Sequence, residues 1–161
     1  MDNQYHTHPM GKVSESAFFV DFPIGNGNPR NSEGSFLPLE GNEKILFAYT
    51  SFIGEKARDF TKADIKITRS HDGGTTWDVP VTAVRADDCG AMNVMSVSLL
   101  RMLNGDIGMF YLIRMNWLDM HIVLQRSSDG GHTWKEPTRC STREGYFVMN
   151  NDRVIRLSSS R

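Results

Sequence analysis

The sequence predicts an all-β fold, a β-propeller built from four-stranded antiparallel blades. Three observations predict it. A near-identical octapeptide occurs twice, SHDGGTTW from Ser70 and SSDGGHTW from Ser127, 57 positions apart. Each copy follows a segment with the period-two alternation of a strand. No segment shows a persuasive helical period.

The elements follow in order. An early segment, SAFFVDFP (Ser16 to Pro23), reads as a strand, preceded by a mobile tail over 1–15. SFLPLEGNEKILFAYTSF (Ser35 to Phe52) is two apolar runs around a polar turn at Gly41-Asn42. Next comes ADIKITRSHDGGTTWDVP (Ala63 to Pro80), where Ile65 and Ile67 share a face and Asp-Gly-Gly supplies a tight turn. Thr-Trp restarts an extended segment. The second unit repeats the first: VMSVSLLRMLNGDIGMFYLIR (Val94 to Arg114) turns at Asn104-Gly105. It is followed by MHIVLQRSSDGGHTWKEP (Met120 to Pro137). Nine of the eighteen columns in the two octapeptide segments are identical. A third unit opens at NDRVIRLSSSR (Asn151 to Arg161).

Four-stranded units of this length, repeated around an axis, are the signature of a propeller. A blade buries both faces only against neighbours. The chain holds about two blades and a fraction, so it is expected to be one incomplete propeller domain over 1–161. The remaining blades are absent from it, and its open blade faces are expected to self-associate.

Composition narrows the function classes. Apolar residues make up 39% and charged residues 23%, which suits a globular chain. The 18 basic and 19 acidic side chains include no Lys/Arg run, so nucleic acid has no electrostatic footprint. Nothing approaches the roughly 18 apolar residues of a membrane span. The start, MDNQYHTHPMGKV, carries no secretory h-region, which favours the cytoplasm unless a leader was removed. Cys89 and Cys140 match no metal spacing and read as free thiols. His6 and His8 have no second cluster to complete a metal site, so neither metal nor cofactor is expected.

The octapeptide has a structural explanation. An Asp at a turn accepts the backbone N–H groups that the turn leaves free. Gly takes positive φ, and Trp buries a large apolar surface between blades. Ser70, Asp72, Gly74 and Trp77, with Ser127, Asp129, Gly131 and Trp134, are therefore read as scaffold, against the alternative that Asp72 and Asp129 are catalytic acids. In a meander the octapeptide turns lie on one face. The loops before each inner strand, and those between the second and third strands, lie on the other. That second face gathers Arg30, Glu33, Asp59, Asn93, Trp117, Asn151, Asp152 and Arg153, the polar mouth where a ligand site is expected.

Ser-x-Asp-x-Gly-x-Thr-Trp resembles the Asp-box, or BNR repeat, of the six-bladed sialidase-like propellers. RNSEG, NVMSVSLLR and NNDRV are similar to segments of bacterial sialidase-family proteins described as exo-acting glycosidases. The resemblance implies a retaining glycosidase, possessing a tyrosine nucleophile, that acts on a carbohydrate. It implies that Arg30 binds substrate and that Asp59, in the first such loop, is the acid/base; the nucleophile would come from later blades. Sialidases carry Arg-Ile-Pro where this chain has Arg-Asn-Ser-Glu, a departure that leaves exo-alpha-sialidase activity one candidate and the sugar undefined.

Each assignment has a bland counterpart. Arg30 could pair with Glu33, Asp59 with Arg58, and Asp152 with Arg153. Asp64 competes with Asp59 but opens a strand. Asn93 and Asn151 offer the donor and acceptor that sugar hydroxyls need. Trp117 could stack on a sugar or belong to an interface, and Tyr49 and Tyr111 read as packing residues. The alternatives to a glycosidase are a non-catalytic propeller that binds glycans or proteins, and a truncated product without a function of its own.

Overall fold

The computed structural model describes residues 22–39, 41 and 43–157. The tail expected over 1–15, His6 and His8, and most of the strand expected over 16–23 lie outside the described residues.

Among the described residues, eight strands form two four-stranded antiparallel sheets, each in sequential order. The first blade contains β1 (Asn31–Pro38), β2 (Ile45–Phe52), β3 (Ala63–Ser70) and β4 (Val81–Val84). The second contains β5 (Asn93–Arg101), β6 (Ile107–Arg114), β7 (Met120–Ser127) and β8 (Thr138–Arg139). No helix occurs among the described residues. These are consecutive propeller blades, and the meander of each follows from its alternating β-branched and aromatic residues. The outer strands begin later than Thr-Trp would place them. β4 starts at Val81 and β8 at Thr138, because the residues from the octapeptide to the proline form a broad loop.

The blades pack face to face. Leu37, Leu46, Ala48, Ile65 and Ile67 of the first meet Val97, Leu99, Met109, Tyr111 and Val123 of the second in one buried core. Each Val, Leu, Ile and Met among them contributes about 1.5–3 kcal/mol on burial. Trp134 packs against this core. Trp77 does not lie between these two blades. It joins Phe22, Phe36 and Phe47 on the opposite face of the first blade, with ring centroids about 6 Å away.

Both innermost strands carry a bulge at one place, between Ser32 and Ser35 in β1 and between Met95 and Ser98 in β5. At the bulges Glu33 (φ 55°) and Ser96 (φ 57°) adopt left-handed backbone. Asp152 (φ 53°) does the same at the matching point of the third inner segment, 151–157. That segment lies along the second blade without joining a ladder: the Asp152 amide donates to the Val97 carbonyl (3.1 Å). Non-glycine residues pay of order 1–3 kcal/mol for such backbone, and bulges re-aim side chains.

Candidate functional site

The octapeptides form closed turns. The Gly74 amide donates to Ser70 Oγ (2.7 Å), and the Thr76 amide to Asp72 Oδ1 (2.8 Å). The Thr76 hydroxyl donates to Asp72 Oδ2 (2.6 Å). In the second copy Ser127 Oγ accepts from the Gly131 amide (2.7 Å), and Asp129 accepts from the Thr133 amide (2.9 Å) and hydroxyl (2.5 Å). The Thr76 hydroxyl and amide hold the Asp72 carboxyl down at about 2. Thr133 and Ser127 depress Asp129 likewise. Such carboxylates are unsuited to delivering protons near neutrality. The first β-turn packs at this end too, since the Gly73 amide donates to the Glu43 carbonyl (2.7 Å).

Arg30 and Asp59 meet at the other end. Arg30 Nη1 lies 2.7 Å from Asp59 Oδ1 and also donates to the Ala57 carbonyl (3.0 Å). Its Nε and Nη2 share Ser32 Oγ (3.3 and 3.2 Å), and its Cζ lies 4.2 Å from the Phe52 ring centroid. The guanidinium is thus fixed by its own strand and by the loop between β2 and β3. The backbone at Arg30 is itself anchored, its carbonyl accepting from the Phe52 amide (2.9 Å). Asp59 is 70% exposed in its side chain, so the carboxyl stands on an open rim.

The alternatives for these residues fall out of the same geometry. Arg30 does not pair with Glu33. Arg58 sits over the Phe60 ring (5.7 Å) rather than on Asp59. Asp64 is buried and accepts the Ala86 amide (2.9 Å), which joins β3 to the turn after β4. Phe60 and Trp117 form an exposed aromatic pair next to Asp59, with centroids 5.6 Å apart.

Asn93 lies under the loop, not on its surface. It is fully buried, and its Nδ2 donates to the carbonyls of Asp59 (2.9 Å) and Thr61 (3.2 Å). Arg114, which no motif singles out, joins it: Nη1 donates to the Asp59 carbonyl (3.2 Å). A basic residue closing a run of apolar ones, IGMFYLIR, is the one signal the sequence offers for it.

Glu33, Asn151 and Asp152 form a separate set along the inner edge. Glu33 Oε2 accepts from Ser96 Oγ (3.2 Å) and Thr50 Oγ1 (3.5 Å). Ser35 Oγ donates to Asp152 Oδ1 (2.8 Å), and Asn151 Nδ2 to the Gly34 carbonyl (3.0 Å). The Arg153 amide donates to Ser98 Oγ (3.1 Å), and its side chain is exposed. These contacts lace the inner strands together across the blades. No group of three or more His, Cys, Asp or Glu side chains able to hold a metal occurs among the described residues. A cleft of about 350 Å³ lies at the octapeptide end, lined by Lys44, Arg69, Arg101 and His132, away from Asp59.

Among solved structures the chain resembles a Hadza microbial sialidase, with a TM-score of 0.59 at 18% identity over 70% of this chain. It resembles a Dyadobacter fermentans protein of unknown function, with a TM-score of 0.54 at 16% identity over 71%. A third likeness is to a Trypanosoma rangeli sialidase solved in complex with sialic acid, with a TM-score of 0.54 at 12% identity over 73%. The chain spans 26%, 37% and 21% of those proteins respectively. At such identities the likeness shows the fold, a sialidase-like arrangement of blades. No family model matches the chain. No curated protein matches it in sequence.

Proposed function

We propose that these blades form part of the active site of an exo-acting glycoside hydrolase of the sialidase-like superfamily. Arg30 binds substrate in this reading, and Asp59 is the acid/base. The observation that carries it is the 2.7 Å approach of Arg30 to Asp59 on the end away from the closed turns.

The chemistry runs as follows. An acidic or hydroxyl group of the substrate accepts a hydrogen bond from Arg30 Nη1 in place of Asp59, and Asp59 takes a proton from solvent. Asp59 gives that proton to the glycosidic oxygen as its bond to the anomeric carbon breaks and the nucleophile's bond to that carbon forms; water later displaces the nucleophile. Asp59 then takes a proton from the water that releases the sugar. Loop 54–62 is the element that must hold the carboxyl still, since misplacement by about 1 Å can cost 10²-fold in rate. The tyrosine nucleophile of the reading is assigned to blades beyond these two. Tyr111 is fully buried, donates to Gln125 Oε1 (3.0 Å), and has its hydroxyl pushed up by burial. Tyr49 is buried in β2 and raised for the same reason.

The test is turnover of a panel of fluorogenic glycosides, sialosides included, by the open reading frame that contains this chain. Asp59→Asn is expected to lower turnover by about 10²–10⁴-fold, the usual worth of a general acid. A folded protein that turns over none of the panel, or a mutant as active as the parent, removes the reading. The exposed Phe60–Trp117 pair favours a second reading, a glycan-binding propeller without chemistry, because aromatic faces stack on sugar rings. Glycan-array binding without turnover, lost in Trp117→Ala, would select it.

A further inference from the structure

The geometry points to Arg114 as a positioning residue for the Asp59 loop, acting from the second blade on a carboxyl of the first. This rests on the reading above for its catalytic consequence, but not for its mechanical one.

Arg114 is the last residue of β6 and pairs in register with Asn93, the first of β5. The two side chains converge on one acceptor. The Asp59 carbonyl receives Arg114 Nη1 at 3.2 Å and Asn93 Nδ2 at 2.9 Å. Both donors are buried, Asn93 completely and Arg114 to 8% exposure. A guanidinium at that depth ordinarily meets a carboxylate, because desolvating a charge is costly. Arg114 makes no salt bridge among the described residues, and its Nε has no partner there. What surrounds it instead is the Asp59 carbonyl and the Tyr146 ring, 5.7 Å from Cζ. Among the described residues, its one side-chain hydrogen bond goes to the backbone of the residue whose carboxyl faces Arg30.

The loop needs that support. From Gly54 to Thr61 its backbone bonds are few: the Gly54 amide to the Gly27 carbonyl (3.0 Å) and the Thr61 amide to the Arg58 carbonyl (2.8 Å). Asn93 reaches both Asp59 and Thr61, spanning the bend. Arg114 adds a charge-assisted bond at Asp59 itself, roughly twice the strength of a neutral one. The carboxyl is thus held from two sides, by Arg30 at its oxygen and by Arg114 at its backbone.

The experiment pairs hydrogen exchange with kinetics on the protein containing this chain, comparing the parent with Arg114→Met and Arg114→Lys. In Arg114→Met, exchange over 54–62, read at the bonded amides of Gly54 and Thr61, is expected to quicken about tenfold, while β2 and β7 keep the parent's rates. Arg114→Lys, which can still donate to the carbonyl, is expected to recover much of the protection. Where the parent turns over a glycoside, kcat should fall about 10- to 100-fold in Arg114→Met, with KM within about threefold. Exchange over 54–62 matching the parent in a folded variant overturns the inference, and so does exchange that quickens equally in every strand. If Arg114→Met does not fold, Arg114→Lys decides on the same criteria, an intermediate rise confined to 54–62 supporting the role. A parent that turns over nothing counts against the glycosidase reading alone, and exchange then settles the role of Arg114.

Discussion

Asp72, Asp129 and Asp59 are three turn or loop aspartates with different occupations. Asp72 and Asp129 accept the hydroxyl and amide of the threonine four residues on, whereas Asp59 faces a guanidinium across the rim. The first two are held below their ordinary value, Asp72 at about 2. A depressed carboxylate stabilises the fold above its unfolded value of about 4, and that contribution disappears as pH falls through the folded value. Thermal melts of the parent should therefore lose stability as pH drops from about 4 towards 2. Asp72→Asn should melt lower than the parent at pH 7 and approach it near pH 2. Parallel melting curves across that range would refute the assignment. These turns are legible in the sequence, because their chemistry is local and written twice. Asn93 is less legible: its amide suits a sugar ligand, whereas the fold brings it the Asp59 and Thr61 carbonyls from the other blade.

The octapeptide turns also act as elements, because the second one reaches the seam. Arg69 of β3 donates to the Gly131 carbonyl, and a Cβ at Gly131 would lie 2.9 Å from Leu46. Gly130 is left-handed too (φ 75°), but nothing lies within 4 Å of a Cβ there. Gly130→Ala is thus expected to cost about 1–2 kcal/mol, the penalty of left-handed backbone alone. Gly131→Ala adds a clash at a packed seam, about 1–3 kcal/mol more. Equal costs by urea denaturation would contradict the seam's geometry. Strands and turns were legible because alternation and Asp-Gly-Gly act within a few residues. The bulges were not. Glu33, Ser96 and Asp152 share no residue type, and a left-handed non-glycine residue is fixed by the ladders and hydrogen bonds around it. Arg114 is illegible for a related reason: its partner is a backbone carbonyl far away in sequence, which no motif encodes.

At the scale of the molecule, the pairing of blades explains what is buried and what is left open. The shared core uses one face of each blade. On the first blade's other face Phe36 stacks on Phe47 at 4.2 Å and is still 57% exposed, with Trp77 continuing the aromatic patch and Tyr49 buried against Phe47. Beside the second blade, Ile155 and Leu157 are 72% and 66% exposed on a segment that joins no ladder. The seam shows what such faces do when they meet: apolar side chains interdigitate, and an arginine from one blade takes a turn carbonyl of the next. Exposed apolar surface of this kind drives association, since it is unusual on a monomer. The 161-residue chain of 18.2 kDa is accordingly expected to sediment above its monomer mass, increasingly so with concentration. Phe36→Asp should shift that equilibrium towards the monomer, because a carboxylate cannot be buried unpaired between sheets. Sedimentation as a monomer at every concentration would mean that the aromatic face is satisfied within the chain itself. A variant that associates as strongly as the parent would move the contact to another surface, with the edge of the 151–157 segment the next to test.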